Sequence, residues 1–107
     1  QRVELAAIRI GKKYPEVAAA TNPKQVGQPA HANCRDTIEN GTVIYSEGRD
    51  AVEVIMPVKN VDGEIMAAAR MFLKPGKLIT KTRHRARASA VAIKLGEQIQ
   101  TRAKLFR

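Results

Sequence analysis

Four side chains of this 107-residue sequence, His31, Arg35, Tyr45 and Arg70, are of types that bind small charged molecules. His31 and Arg35 share the segment HANCR. A guanidinium group there can hold a carboxylate or phosphate through two hydrogen bonds, and an imidazole can add a further donor near neutral pH. Tyr45 adds a hydroxyl, and Arg70 lies within a long apolar stretch. If Arg35, Tyr45 and Arg70 converge, they form a site for a small anion.

Each of these residues also has a purely structural interpretation. HANCR can be a capped helical turn with Cys34 packed inward and Arg35 in solvent. Tyr45 can be a core residue. Arg70, within an apolar strand, must reach an edge, line a cavity or pair with an acid such as Glu53, because an unpaired charge is costly to bury. An Arg70–Glu53 pair would remove the reason to expect an anionic ligand.

The sequence has no pattern typical of catalysis or metal binding. Cys34 is the only cysteine, so an intramolecular disulfide and a Cys-rich zinc site are excluded. A nucleophile made of Cys34 with His31 or His84 would need an orienting carboxylate that no spacing specifies. The sequence also lacks a glycine-rich phosphate loop, a His-x-x-x-His pair and an acidic cluster. We therefore predict a protein that is not an enzyme and has no cofactor or metal.

The excess of basic residues is confined to the last third of the chain. Residues 1–73 contain nine Lys+Arg and nine Asp+Glu, so the net charge of +9 lies entirely in residues 74–107. The run TKTRHRAR at 80–87 could hold the phosphates of nucleic acid or face an anionic surface. It could equally be the solvated start of a helix. Aromatic residues make up only 4% of the chain, so nucleic acid is the less favoured alternative.

The first of the elements that would position these residues is an expected helix at the beginning of the sequence. Good helix formers over 2–13 predict a short N-terminal helix. A brief apolar run over 17–21 predicts a strand. The polar stretch 23–40, rich in proline and glycine, predicts a long loop with one helical turn, and loops of this length are often functional.

The middle of the chain predicts a meander of three antiparallel strands. The strands are expected near 42–45, 51–59 and 64–74, with Asp62-Gly63 forming the tight turn between the last two. Both faces of the third strand are largely apolar, which predicts a central position in the sheet. A long amphipathic helix of roughly 26 residues is expected from Thr80 onward, on the basis of its apolar period of three to four residues. Gly96 interrupts that helix. The order of elements predicts an α+β fold.

The stretch from about 17 to 74 resembles the extracytoplasmic PAS-like sensor domains of the Cache class. The resemblance rests on NPKQVGQPAH at 22–31, Glu-Asn-Gly at 39–41, the strand TVIYSE and the hairpin VEVIMPVKNVDGEIMAAARMFLK. The positions that match the family pattern are Asn22, Pro23, Val26, Gly27, Gly41, Pro57, Val58, Asp62, Gly63 and Ile65.

The resemblance implies a single domain over 1–107 with a PAS-like antiparallel sheet flanked by N- and C-terminal helices. It implies a small-molecule sensing or binding module of the signal-transduction type, in which a small organic anion is enclosed between the sheet and segment 22–41. His31, Arg35, Tyr45 and Arg70 would be the binding residues. A homodimer through the C-terminal helix and a periplasmic or extracellular location are also implied. No stretch approaches the roughly 18 apolar residues of a membrane span. The alternative is that the 74–107 helix binds nucleic acid or an anionic surface.

Overall fold

An antiparallel sheet with one helix on each face makes up the part of the chain that the computed structural model describes, residues 2–8, 12–48, 51–73 and 81–98. The fold is α+β. In chain order its elements are β1 (Arg2–Ala7), β2 (Glu16–Ala20), a 3₁₀ turn (Pro23–Gln25), α1 (Asn33–Asn40), β3 (Ile44–Glu47), β4 (Val52–Lys59), β5 (Ile65–Leu73) and α2 (Lys81–Gln98).

The sheet has five strands in the order β2-β1-β5-β4-β3, and every neighbouring pair is antiparallel. The predicted meander is confirmed as β3, β4 and β5. In the β4–β5 turn the Asn60 Oδ1 accepts hydrogen bonds from the backbone N–H groups of Asp62 (2.9 Å) and Glu64 (3.0 Å). Gly63 has a φ of 83°, a conformation that favours glycine. The turn therefore holds the register of the two longest strands.

The prediction of an N-terminal helix over 2–13 is wrong. Residues Arg2–Ala7 form β1, which pairs with β2 on one side and β5 on the other. Leu5 and Ala7 join the core on one face, and Ala6 joins the core on the other. This segment suits a helix by residue type, but pairing with two strands and burial on both faces outweigh that weak preference. The helices that flank the sheet are consequently α1 and α2.

Strand β5 occupies the predicted central position and contributes to two separate cores. The larger core lies under α2 and contains Leu5, Ala7, Val52, Val54, Val58, Ala67, Ala69, Met71, Leu73, Ala88 and Ala92. The smaller core lies under α1 and contains Ala6, Cys34, Ile38, Ile55 and Ala68. Since successive strand residues point to opposite faces, β5 needs a covering helix on each side.

Helix α2 approaches the sheet through small residues. Ala88 and Ala92 are buried, and one turn further on a Cβ placed on Gly96 would overlap the carbonyl oxygen of Lys59 at the end of β4. The glycine predicted to interrupt the helix thus lies inside it, where only a hydrogen atom fits. Residues 99–107, where we expected the helix to continue, lie outside the described residues.

We expect Gly96→Ala to destabilise the protein by about 1–3 kcal/mol, because the added methyl group must displace the end of α2 or of β4. Urea unfolding followed by circular dichroism measures the change. At an open helical position the same substitution stabilises by about 1 kcal/mol. A stabilised Gly96→Ala variant would therefore contradict the close approach of α2 to Lys59.

Candidate functional site

The residues predicted to bind an anion do not all face the same space. In the strand register Arg70 lies opposite Glu4 and Ile55, which places it on the α1 face of the sheet. Tyr45 lies opposite Val54 and packs against the core under α2. Because these are the two faces of one sheet, Tyr45 and Arg70 cannot contact a common small ligand.

Arg70 is neutralised by two glutamates of the neighbouring strands. Its Nε and Nη2 donate to the two carboxylate oxygens of Glu53 at 3.1 and 3.3 Å, and its Nη1 lies 3.5 Å from Glu4 Oε1. The guanidinium also lies 4.6 Å from the centre of the Phe72 ring. The pairing of Arg70 with Glu53 is the structural alternative considered in the sequence analysis, and the structure adds Glu4 as a second acid. With its charge balanced in this way, Arg70 gives no reason to expect an anionic ligand.

The same face carries a second cation that completes a neutral cluster. Arg2 lies 3.6 Å from Glu4 and stacks on Phe72 at 4.1 Å, so its charge and that of Arg70 offset the charges of Glu4 and Glu53. Glu4 is only 6% exposed. Burying a carboxylate is costly unless it is paired. The cluster therefore depends on Arg70, which bridges β1 and β4 from the central strand.

His31 and Arg35 are engaged in local contacts around α1. The backbone N–H of Asn33 donates to His31 Nδ1 at 3.2 Å, and His31 is otherwise exposed. Arg35 Nε donates to Glu39 Oε1 at 2.9 Å, and its guanidinium lies 5.0 Å from the centre of the Tyr14 ring. His31 thus contacts the first residue of α1, while Arg35 contacts Glu39 one turn along α1 and Tyr14 in the loop between β1 and β2.

Cys34 packs inward from α1 and is 1% exposed. Burial raises the pKa of its thiol to about 11, and the nearby Arg70 only partly opposes this effect. A thiol that stays protonated at neutral pH is a poor nucleophile and a poor metal ligand. Cys34 therefore acts as a small apolar residue between α1 and the sheet.

Tyr45 meets a residue that the sequence analysis had placed on the basic surface. Its hydroxyl donates to Glu47 Oε1 at 3.1 Å and lies 3.3 Å from His84 Nδ1 on α2. His84 is 2% exposed, and its Nε2 has no hydrogen-bond partner among the described residues. The contact between Tyr45 and His84 attaches the beginning of α2 to β3. Sequence reasoning missed this contact because the partners lie 39 positions apart and no periodicity of the sequence links them.

A groove of about 400 Å³ lies between α2 and the end of β4, at some distance along α2 from His84. Its apolar lining is Val43, Met56, Pro57, Val61, Ala92 and Ile93. Val61 and Ile93 are 87% and 62% exposed, which is unusual for large aliphatic side chains. Concave, mainly apolar spaces of this size are typical of small-molecule sites.

Four polar residues also line the groove, namely Lys59, Asn60, Ser89 and Glu97. Asn60 is occupied by the β4–β5 turn, whereas neither Lys59 nor Glu97 forms an ion pair within the described residues. None of His31, Arg35, Tyr45 and Arg70 lines this groove. The sequence offered one indirect signal for it, namely a glycine within an otherwise regular helix.

Comparison with known proteins finds no match for this chain among family models, curated protein sequences or solved structures. Among the residues that the structure describes, no helix is long and apolar enough to cross a membrane. In the same residues no three His, Cys, Asp or Glu side chains are grouped as a metal site would require. The PAS-like resemblance stays a prediction.

We expect Arg70→Met to destabilise the protein by about 3–5 kcal/mol, because it removes the partner of the Glu53 carboxylate and leaves the buried Glu4 carboxylate with Arg2 alone. Equilibrium urea unfolding measures the loss. The matched control adds Glu4→Gln and Glu53→Gln to Arg70→Met and should recover much of the stability. An Arg70→Met variant as stable as the parent would contradict the neutralising role of Arg70.

We expect Cys34 to resist alkylation in the folded protein. Raising the thiol pKa from 9.0 to about 11 lowers the thiolate fraction at pH 8 by about 100-fold, and burial adds a steric barrier. The rate of iodoacetamide labelling, followed by mass spectrometry, should rise by at least that factor in 8 M urea. Cys34 is the only thiol, so each labelled chain reports this site. Equal rates in buffer and in urea would contradict the burial of Cys34.

Proposed function

We propose that this chain is a small-molecule binding module whose ligand lies in the groove between α2 and β4. The observation that carries the proposal is the groove itself, about 400 Å³ of mainly aliphatic space with two exposed aliphatic side chains at its margin. Filling it with an apolar molecule would remove Val61 and Ile93 from water, and burial of apolar surface is the main source of affinity for such ligands.

The position of the groove links ligand binding to α2. One wall is β4 with its following turn, and the other is the second half of α2. A ligand that contacts both walls binds some positions of the helix more tightly than others. It favours the position that it binds most tightly, by the difference in binding free energy between the positions. Helix α2 packs on the sheet through small residues, and the Tyr45–His84 contact attaches its first turns to β3. A ligand that moves the second half of α2 would therefore move the whole helix as a rigid body. This would make the module a sensor whose output is the placement of α2.

The sequence resemblance supports the same class of function. A Cache-type, PAS-like domain is expected to have an antiparallel sheet with segment 22–41 packed on one face, and α1 of that segment contacts the sheet through Cys34 and Ile38. The proposed site differs from the one that the resemblance implies, because the charged residues of the α1 face are paired with one another. A periplasmic or extracellular location and a homodimer through α2 are parts of the proposal that rest on the resemblance alone.

Thermal unfolding in the presence of a panel of small aliphatic compounds, including carboxylic acids, amines and neutral amphiphiles, tests the proposal. A ligand at 100 times its Kd stabilises by about 2.7 kcal/mol, which raises the Tm of a domain of this size by about 10 °C. We expect at least one chemical class to produce such a shift. A panel that leaves the Tm unchanged throughout would overturn the proposal.

Two tryptophan variants of α2 locate the site. Ile93→Trp places a large ring across the groove and should abolish the ligand-induced shift. Ala90→Trp puts the same ring on an exposed position of the helix outside the groove lining and should preserve it. A shift that survives Ile93→Trp would place the ligand elsewhere.

A further inference from the structure

Strand β3 covers only part of the outer edge of β4. The pairing of the two strands ends at Ile44 opposite Ile55, although β4 continues to Lys59. The chain before β3 has left the sheet edge, because the Thr42 carbonyl accepts a hydrogen bond from Thr37 Oγ1 of α1 at 2.7 Å. Within the described residues, β4 is therefore unpaired on this side from residue 56 to residue 59. We call this segment, which lines the groove, the free edge of β4.

The backbone polar groups of Pro57 and Lys59 point outward from the free edge. Successive residues of a strand direct their N–H and C=O groups to alternate sides. The Asn60 N–H donates to the Glu64 carbonyl at 2.9 Å, so Asn60 points toward β5 and the residues at 57 and 59 point away from it. The register shift in this pairing skips Met66 of β5 and leaves the alternation along β4 unbroken. A proline is tolerated at such an edge because its missing N–H faces no partner strand.

The free edge thus offers one hydrogen-bond acceptor and one donor. In the part of the chain that the structure describes, neither the Pro57 carbonyl nor the Lys59 N–H forms a hydrogen bond. The Lys59 carbonyl lies against Gly96 of α2, at a contact too close for a Cβ, and is closed to a further strand. The open acceptor and the open donor therefore belong to the two residues that flank Val58.

This arrangement fits a parallel strand better than an antiparallel one. One residue of a parallel strand, placed opposite Val58, donates its N–H to the Pro57 carbonyl and accepts from the Lys59 N–H through its own carbonyl. An antiparallel strand would leave groups of its own unpaired, because it needs the N–H that Pro57 lacks or the Lys59 carbonyl that α2 covers. A single extended peptide residue consequently satisfies both open groups.

The side chain of that residue would enter the groove. Residues opposite one another in a sheet direct their side chains to the same face, and Val58 faces the core under α2. On this face the groove is lined by Ala92 and Ile93 of α2. An aliphatic side chain between β4 and α2 would cover Ile93, which is 62% exposed, and burial of apolar surface favours binding.

We propose that the ligand of the groove is an extended peptide with an aliphatic side chain, which adds a short parallel strand to the free edge of β4. This inference rests on the proposed function, because it names the chemical class of ligand for the same groove. Main-chain hydrogen bonds to a sheet edge together with a side-chain pocket are a recurring mode of peptide binding. The charged residues that line the groove, Lys59 and Glu97, have opposite signs, which favours a neutral peptide unit over an aliphatic acid or amine.

NMR titration of the ¹⁵N-labelled full chain with acetyl-Ala-Leu-Ala-amide tests the peptide class. The Lys59 N–H becomes hydrogen-bonded in the complex, so its hydrogen exchange should slow by about 10-fold at ten times the Kd. The same peptide with an N-methylated leucine cannot donate to Pro57 and should bind about 10-fold more weakly. Equal affinities of the two peptides would overturn the proposal, and so would binding that leaves the exchange of the Lys59 N–H unchanged.

The panel of aliphatic compounds separates this proposal from the function on which it rests. A panel compound that raises the Tm while the tripeptide fails to bind would overturn the peptide class and leave the groove as a small-molecule site. Failure of both would overturn both proposals. Ile93→Trp should abolish peptide binding, whereas the matched control Ala90→Trp should preserve it. Peptide binding that survives Ile93→Trp would overturn the placement of the peptide in the groove.

Discussion

The burial of both faces of β5 is the constraint on which the rest of this structure depends. Ala67, Ala69 and Met71 point into the core under α2, while Ala68 points into the core under α1. A strand that is apolar on both sides is stable only between other strands and between two layers of helix. The run of alanines also lets both helices come close to the sheet. This requirement is met by β1, which pairs with β5, and by the two helices. Helix α1 packs on one face through Cys34 and Ile38, and α2 packs on the other face.

A charge at the centre of such a strand must be balanced from inside the domain. Arg70 follows the alanine run, and its neighbours in the sheet supply Glu4 from β1 and Glu53 from β4. An arginine that looks like a ligand-binding residue in an apolar stretch thus becomes the centre of a neutral cluster that joins three strands. A ligand anion at Arg70 would have to compete with these two fixed carboxylates.

Helix α2 combines features that belong to different functions. Its inner face docks through Ala88, Ala92 and Gly96, and the second half of that face forms one wall of the groove. Its outer side carries the exposed cations Arg87 and Lys94, and the exposed Glu97 lies one turn from Lys94. A ligand in the groove would contact both the helix and β4, so it can alter the placement of the helix. Docking through small residues at close range makes that placement sensitive to changes as small as a methyl group at Gly96.

The sequence alone determined the features that depend on neighbouring residues. The Asp62-Gly63 turn, the alternation along β5 and the amphipathic period of α2 are local patterns, and each predicted the correct type of element over the described residues. The segregation of charge into the last third is likewise a property of composition. The tertiary structure decided whether residues 2–7 form a helix or a strand, because their residue types allow both and only pairing with β2 and β5 selects the strand. It also decided that Tyr45 and Arg70 point to opposite faces, that His84 is buried against Tyr45, and that a groove opens beside Gly96. These outcomes depend on contacts between residues far apart in the chain, and no periodicity of the sequence encodes which distant surfaces meet.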